Sequence, residues 1–268
     1  MQVSNSYNFQ PAFGVNLNSP KLRYSQKDFF IKIRGYGQNT TWADIIKTTA
    51  DNAVKSIRKN KPAEIVLKEI TAGVTTANQI PLSLMLRLHT GILRTPREGW
   101  RSESVWENNI LKTNYTNNKY KKYKDRFIST SQNPLKNPFN DLELAKIEQN
   151  EIIHPNPYFI NNAFKHIEEL YEFIQSNFIK KEIKPSELNL LNNKVAEMRW
   201  ILAHSMPWER GTDSISNVFM RAIYKATGVK AYPPAKGISF DLEAFCTNLE
   251  EYKKNFPTFF EKPLEIIE

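Results

Sequence analysis

An α+β fold, with a small N-terminal βαβ-like region followed by a mainly α-helical bundle, is predicted by three features of this 268-residue sequence. Two short segments near the N-terminus carry strand-like patterns on either side of one helical pattern. The C-terminal part instead repeats apolar side chains at three- and four-residue spacing, as packed helices require. Between these parts lies a stretch rich in proline and asparagine with no sustained period.

Residues 1–20 are rich in Asn, Ser and Pro and read as a flexible leader. Residues 21–128 form the expected N-terminal α+β region. In it Phe29 to Arg34 alternates as a half-buried strand, and Thr41 can cap a helix from Trp42 to about Lys59. Pro62 ends that helix, and Glu64 to Ile70 reads as a second strand. Gly35-Tyr36-Gly37 matches neither a dinucleotide fingerprint nor a phosphate loop and reads as a turn. Pro81 to His89 is an apolar run compatible with helix or strand, and His89 has no acid or nucleophile near it in sequence. Arg94 to Arg101 and Lys119 to Arg126 are basic segments with interleaved aromatics, a composition that suits anionic partners and, in the second, nucleic acid.

Residues 129–157 read as a linker around one short candidate helix, Asp141 to Gln149. Residues 158–268 form the helical domain, with helices expected over Asn161–Phe178, from Pro185 to about Met206, from Asp213 to about Gly228, and over Asp241–Lys254. Leu188, Leu191, Val195, Met198 and Leu202 line one side of the second helix and Leu190, Ile201 and His204 another. That helix is therefore expected at the centre of its bundle.

Composition narrows the function classes. Hydrophobic residues make up 40% and charged residues 24%, enough for a buried core. No window is long and apolar enough to span a bilayer, and the first residues lack a basic start and apolar stretch. The expectation is a soluble protein, cytoplasmic or delivered by a route independent of a signal peptide. Cys246 is the single cysteine, which excludes an internal disulfide and a Cys-based zinc site. The net charge of +9 favours anionic partners: acidic protein surfaces, phosphorylated ligands or nucleic acid, with a protein substrate or acidic protein partner expected ahead of nucleic acid.

The segment most suited to a specific activity is the loop from His204 to Asn217. Pro207 stops the central helix, Gly211 permits a tight turn, and Thr212 or Asp213 caps the next helix. The first amides of that helix form a generic anion site, and Arg210 can clamp the same anion. This assigns ligand contacts to Trp208, Arg210, Gly211, Thr212, Asp213, Ser214 and Asn217. His204 is the candidate general base and Glu209 a second catalytic candidate, while Glu209 or Asp213 is the candidate holder of a divalent cation. The competing reading is a plain helix–turn–helix hairpin in which Trp208 plugs the bundle.

The run Met206-Pro207-Trp208-Glu209-Arg210-Gly211, set between two helices, resembles the Fic/Doc (Fido) family loop. Pro207, Trp208 and Gly211 carry the spacing, and the resemblance spans roughly Leu188 to Tyr252. It departs at Met206 and Arg210, where that family has its histidine and metal-binding acid, and at Thr212-Asp213-Ser214 in place of its phosphate clamp. The resemblance implies a divergent, effector-like transferase that moves a phosphoryl, nucleotidyl or glycosyl group from a nucleotide or nucleotide sugar to a protein hydroxyl. It leaves the need for Mg2+ open. The alternative is a noncatalytic protein- or nucleic-acid-binding module with a degenerate loop of that type.

Overall fold

The computed structural model describes residues 19–29, 39–80, 88–95, 121–148 and 151–267. Helix α1 spans Thr40–Arg58 and starts where the Asn39 side chain accepts the Trp42 amide at 2.9 Å. Helix α2 spans Ala63–Ala77. Its first amides are met by Glu168, which accepts from Ala63 at 3.0 Å and Glu64 at 3.3 Å. Gly73 lets α2 press against α1, since a Cβ there would lie 2.1 Å from Thr49 Oγ1.

These elements correct the N-terminal reading. Glu64 to Ile70 is helical, because Ala63, Val66, Leu67, Ile70, Val74 and Ala77 form one buried stripe at helical spacing. Of the other expected strand, Phe29 closes a short 3-10 turn over Gln26–Phe29, and residues 30–38 lie outside the described residues.

Helix α3 spans Lys121–Gln132 and precedes a short antiparallel hairpin, β1 (Lys146–Glu148) with β2 (Glu151–Ile153). Over residues 141–148 the helix expected at Asp141–Gln149 is instead irregular chain that ends in β1, and Gln149 lies outside the described residues. The stretch read as linker buries Leu142, Leu144, Ala145, Ile147 and Ile152 in the common core.

Helices α4 (Ile160–Phe178), α5 (Pro185–Ser205) and α6 (Thr212–Ala226) follow closely the helices expected from periodicity. The last expected helix divides into α7 (Phe240–Phe245) and α8 (Leu249–Asn255). Strands β3 (Val229–Lys230) and β4 (Glu265–Ile266) pair antiparallel. The fold is therefore mainly helical with a few short antiparallel strands, within the α+β class expected.

Helix α5 is central: it packs against α4, α6, α7 and α8, while α1 packs on α2 and α6. One continuous core runs from Tyr24 to Phe260. Tyr24 fastens the N-terminal segment to α6 and β3. Lys230 lies 4.4 Å, Lys225 5.4 Å and Arg221 5.8 Å from its ring centre.

Candidate functional site

The α5–α6 loop is held by Arg94, which the sequence placed in a basic segment suited to anionic partners. Arg94 is 3% exposed. Its Nε donates to the Met206 carbonyl at 2.6 Å, and its two terminal nitrogens donate to Ser205 and Pro155 carbonyls at 2.8 Å. The C-terminus of α5, where carbonyls lack intrahelical partners, is thereby capped by a buried guanidinium. Burial pushes Arg94 down to about 10, so it remains charged at neutral pH. Met206 adopts the left-handed conformation at φ 42°, an unusual state for a residue with a Cβ. The bond from Arg94 holds it there.

The loop then runs beside residues 90–94. Arg94 N donates to Pro207 O at 2.9 Å, Glu209 N to Ile92 O at 2.8 Å, and Gly91 N to Arg210 O at 3.1 Å. Trp208 is 4% exposed and meets Phe164 edge-on at 5.9 Å, so it is part of the core rather than a surface for ligand. Glu209 Oε2 lies 2.6 Å from His89 Nδ1. Sequence reading gave His89 no acid, because its partner comes from the far side of the chain.

Gly211 has φ 95°, which glycine alone adopts readily, and it precedes α6 without a side-chain cap. Thr212 is buried and Ser214 partly exposed. Asp213 is ion-paired with Arg199, which also pairs with Asp241, and accepts from Asn217 Nδ2 at 3.1 Å. Arg199 is 1% exposed and lies over the Phe240 ring at 5.7 Å. Sequence analysis gave it no role. The Arg210 guanidinium is partly exposed, and among the described residues it makes no side-chain hydrogen bond or ion pair.

His204, the candidate base, is 1% exposed. Its Nε2 lies 3.0 Å from the Ala244 carbonyl, and Trp200 and Phe245 enclose the ring. Burial pushes it down to about 4, so it is neutral at physiological pH. The reason sequence missed this is geometric: His204 projects from the α7-facing side of α5, away from solvent. The two candidate catalytic residues therefore do not converge, because Glu209 is committed to His89 and His204 to Ala244.

Among the described residues no group of three or more His, Cys, Asp or Glu is arranged to hold a metal ion. Of the basic segment at Lys119–Arg126, Tyr123 and Arg126 are committed within the molecule. Tyr123 is fully buried and donates to Glu243 at 2.6 Å, and Arg126 pairs with Glu243 at 2.5 Å. Tyr123 and Arg126 are therefore turned to the core, while residues 119–120 lie outside the described residues. Residues 96–101 of the other basic segment lie outside the described residues.

The avirulence protein family model AvrB_AvrC matches residues 100–263, well over half of the chain. The chain belongs to the AvrB/AvrC avirulence protein family. This overturns the Fic/Doc resemblance and with it the transferase assignment. The matched length takes in α3 through α8, whereas the resemblance rested on three positions of one loop. The alternative of a noncatalytic module built on a degenerate Fic-type loop is not specifically supported by the family match either. No curated protein matches the chain. Among the described residues no helix is long and apolar enough to cross a membrane.

Proposed function

We propose that this avirulence-family protein is an effector that acts on a host protein, and that it meets an acidic group of that protein at Arg210 and the start of α6. Family membership supports a host target. The observation that carries the site is Arg210: a partly exposed guanidinium without a side-chain partner among the described residues, beside a helix start that no side chain caps. A carboxylate there would accept both a forked pair of hydrogen bonds and the favourable end of the helix dipole. Of the residues named from sequence, Arg210, Gly211, Thr212 and Ser214 form this contact. Trp208, Glu209, Asp213 and Asn217 shape it from behind through the bonds already described.

The net charge of +9 favours encounter with an acidic surface, and it makes the encounter salt-sensitive. Placing a photo-crosslinking residue at position 214, and separately at exposed Lys254, tests the reading in host cells with Arg210 kept. The expected result is one host protein captured from position 214 and not from position 254, with capture from position 214 and the host response both lost when Arg210→Glu is added. Equal capture from both positions, or a full response from Arg210→Glu at equal abundance, would overturn it.

A further inference from the structure

We propose that the short segment beside the loop is a docking ridge, and that the host segment it takes carries apolar side chains next to a carboxylate. The proposal rests on the reading of Arg210 as an acid-contacting residue and adds the chemistry of the partner around that acid.

Residues 88–93 hold three of the seven large hydrophobic side chains that are exposed among the described residues. Leu88 is 56%, Ile92 43% and Leu93 45% exposed. The backbone beneath them is fixed from two sides. The loop side contributes the three backbone bonds to Pro207, Glu209 and Arg210. On the α2 side, Thr75 Oγ1 donates to Thr90 O at 3.2 Å and Asn78 Nδ2 to Thr90 Oγ1 at 3.0 Å. Gly91, at φ 79°, sits so close to α2 that a Cβ would lie 2.4 Å from Thr75 Oγ1.

Apolar side chains on a frame held this way are not merely unburied for want of order. Exposed apolar side chains on a preorganised backbone are a mark of a binding site. Its neighbours define the occupant. Arg210 is bonded through its own backbone to Gly91, which sets this partly exposed residue beside the apolar stretch. His89, held by Glu209 and with its side chain 36% exposed, lies within the same stretch. An apolar centre bordered by arginine is the usual layout of a protein-binding patch, and the cation selects an acidic partner.

Three fluorescent peptides on one Gly/Ser background test this by anisotropy. One carries two leucines and two glutamates, one two serines and two glutamates, and one two leucines and two lysines. The expected result is binding of the Leu/Glu peptide, weakened by about tenfold or more both in Ile92→Ser/Leu93→Ser and in Arg210→Ala. Thermal melts of each variant, all altered at exposed or partly exposed positions, confirm that the fold is kept. Equal binding of the Leu/Glu and Ser/Glu peptides, or unchanged binding by the double serine variant, would sink the ridge and leave the Arg210 reading standing. Preference for the Leu/Lys peptide would sink both. If no peptide binds while position 214 captures its host protein, the ridge inference alone falls.

Discussion

His89 Nδ1 and Glu209 Oε2 lie 2.6 Å apart, joining residues separated by 120 positions of the chain. The pair closes the seam between residues 88–94 and the α5–α6 loop. Both partners are partly solvated, so their direct contribution is about 0.2–1 kcal/mol. His89→Ala is expected to lower global stability by no more than this in urea titrations. Hydrogen exchange at the Gly91, Arg94 and Glu209 amides, which form the seam, is expected to quicken. Unchanged exchange at all three amides would mean that the pair does not hold the seam.

Arg94 carries more. Arg94→Met leaves the Ser205, Met206 and Pro155 carbonyls without their donor, at an expected cost of about 3–5 kcal/mol. Arg94→Lys keeps the charge but not the planar fork and is expected to recover only part of the loss. Urea unfolding of both variants checks the order. A loss below about 1 kcal/mol in Arg94→Met would show that water or other donors replace the guanidinium.

Two buried histidines set an acid limit. Burial pushes His154 down to about 3, with Arg94 and Arg210 adding in the same direction, and His204 down to about 4. An unfolded histidine titrates near 6.5, so the folded state binds fewer protons than the unfolded state between these values. The stability they contribute is therefore full above about pH 6.5 and is lost as the pH falls through 6.5 towards 4 and 3. For His204 alone the integrated loss is on the order of 3 kcal/mol. Among the described residues neither ring nitrogen of His154 has a hydrogen-bond partner. His154→Leu is thus expected to match or exceed the parent at pH 7 and to show a shallower decline at pH 4.5 in urea titrations. A steeper acid decline in that variant would refute the account.

Arg199 bridges carboxylates from the first turns of two helices, Asp213 on α6 and Asp241 on α7. Arg199→Met is expected to cost about 3–5 kcal/mol, because it strands Asp241 beside Phe240. Adding Asp241→Asn is expected to restore much of that loss in a double-mutant cycle. Burial pushes the Asp241 carboxyl up to about 7, aided by Asp213 and opposed by Arg199. A carboxyl raised in the folded state stabilises below its unfolded value near 3.9, and that contribution is lost as the pH rises through 7. Asp241→Asn should accordingly flatten any fall in stability between pH 4 and pH 7. Thermal melts across that range decide it.

By itself the sequence determined the helices whose apolar side chains repeat at helical spacing. In α1 and α4 the stripe exists because the helix turns one face to the core, and α5 and α6, buried on most sides over their second halves, keep the same local spacing. It also located the loop, since Pro207 and Gly211 impose their backbone constraints wherever they stand. It did not determine α2, because Glu64 to Ile70 is a short apolar run whose pattern fits strand or helix until α1 and α4 close on it. The Fic/Doc resemblance failed for a related reason: proline, a buried aromatic and glycine are what a tight helix–turn–helix loop needs in many folds. Only the tertiary structure decided that Trp208 fills the core, that His204 is sealed against Ala244, and that Arg94 caps α5. Only it brought Glu209 to His89 and left the Arg210 guanidinium without a side-chain partner among the described residues. Such pairings join residues from distant parts of the chain, and the burial that fixes their charge and reach is a property of the packed molecule, not of any window of sequence.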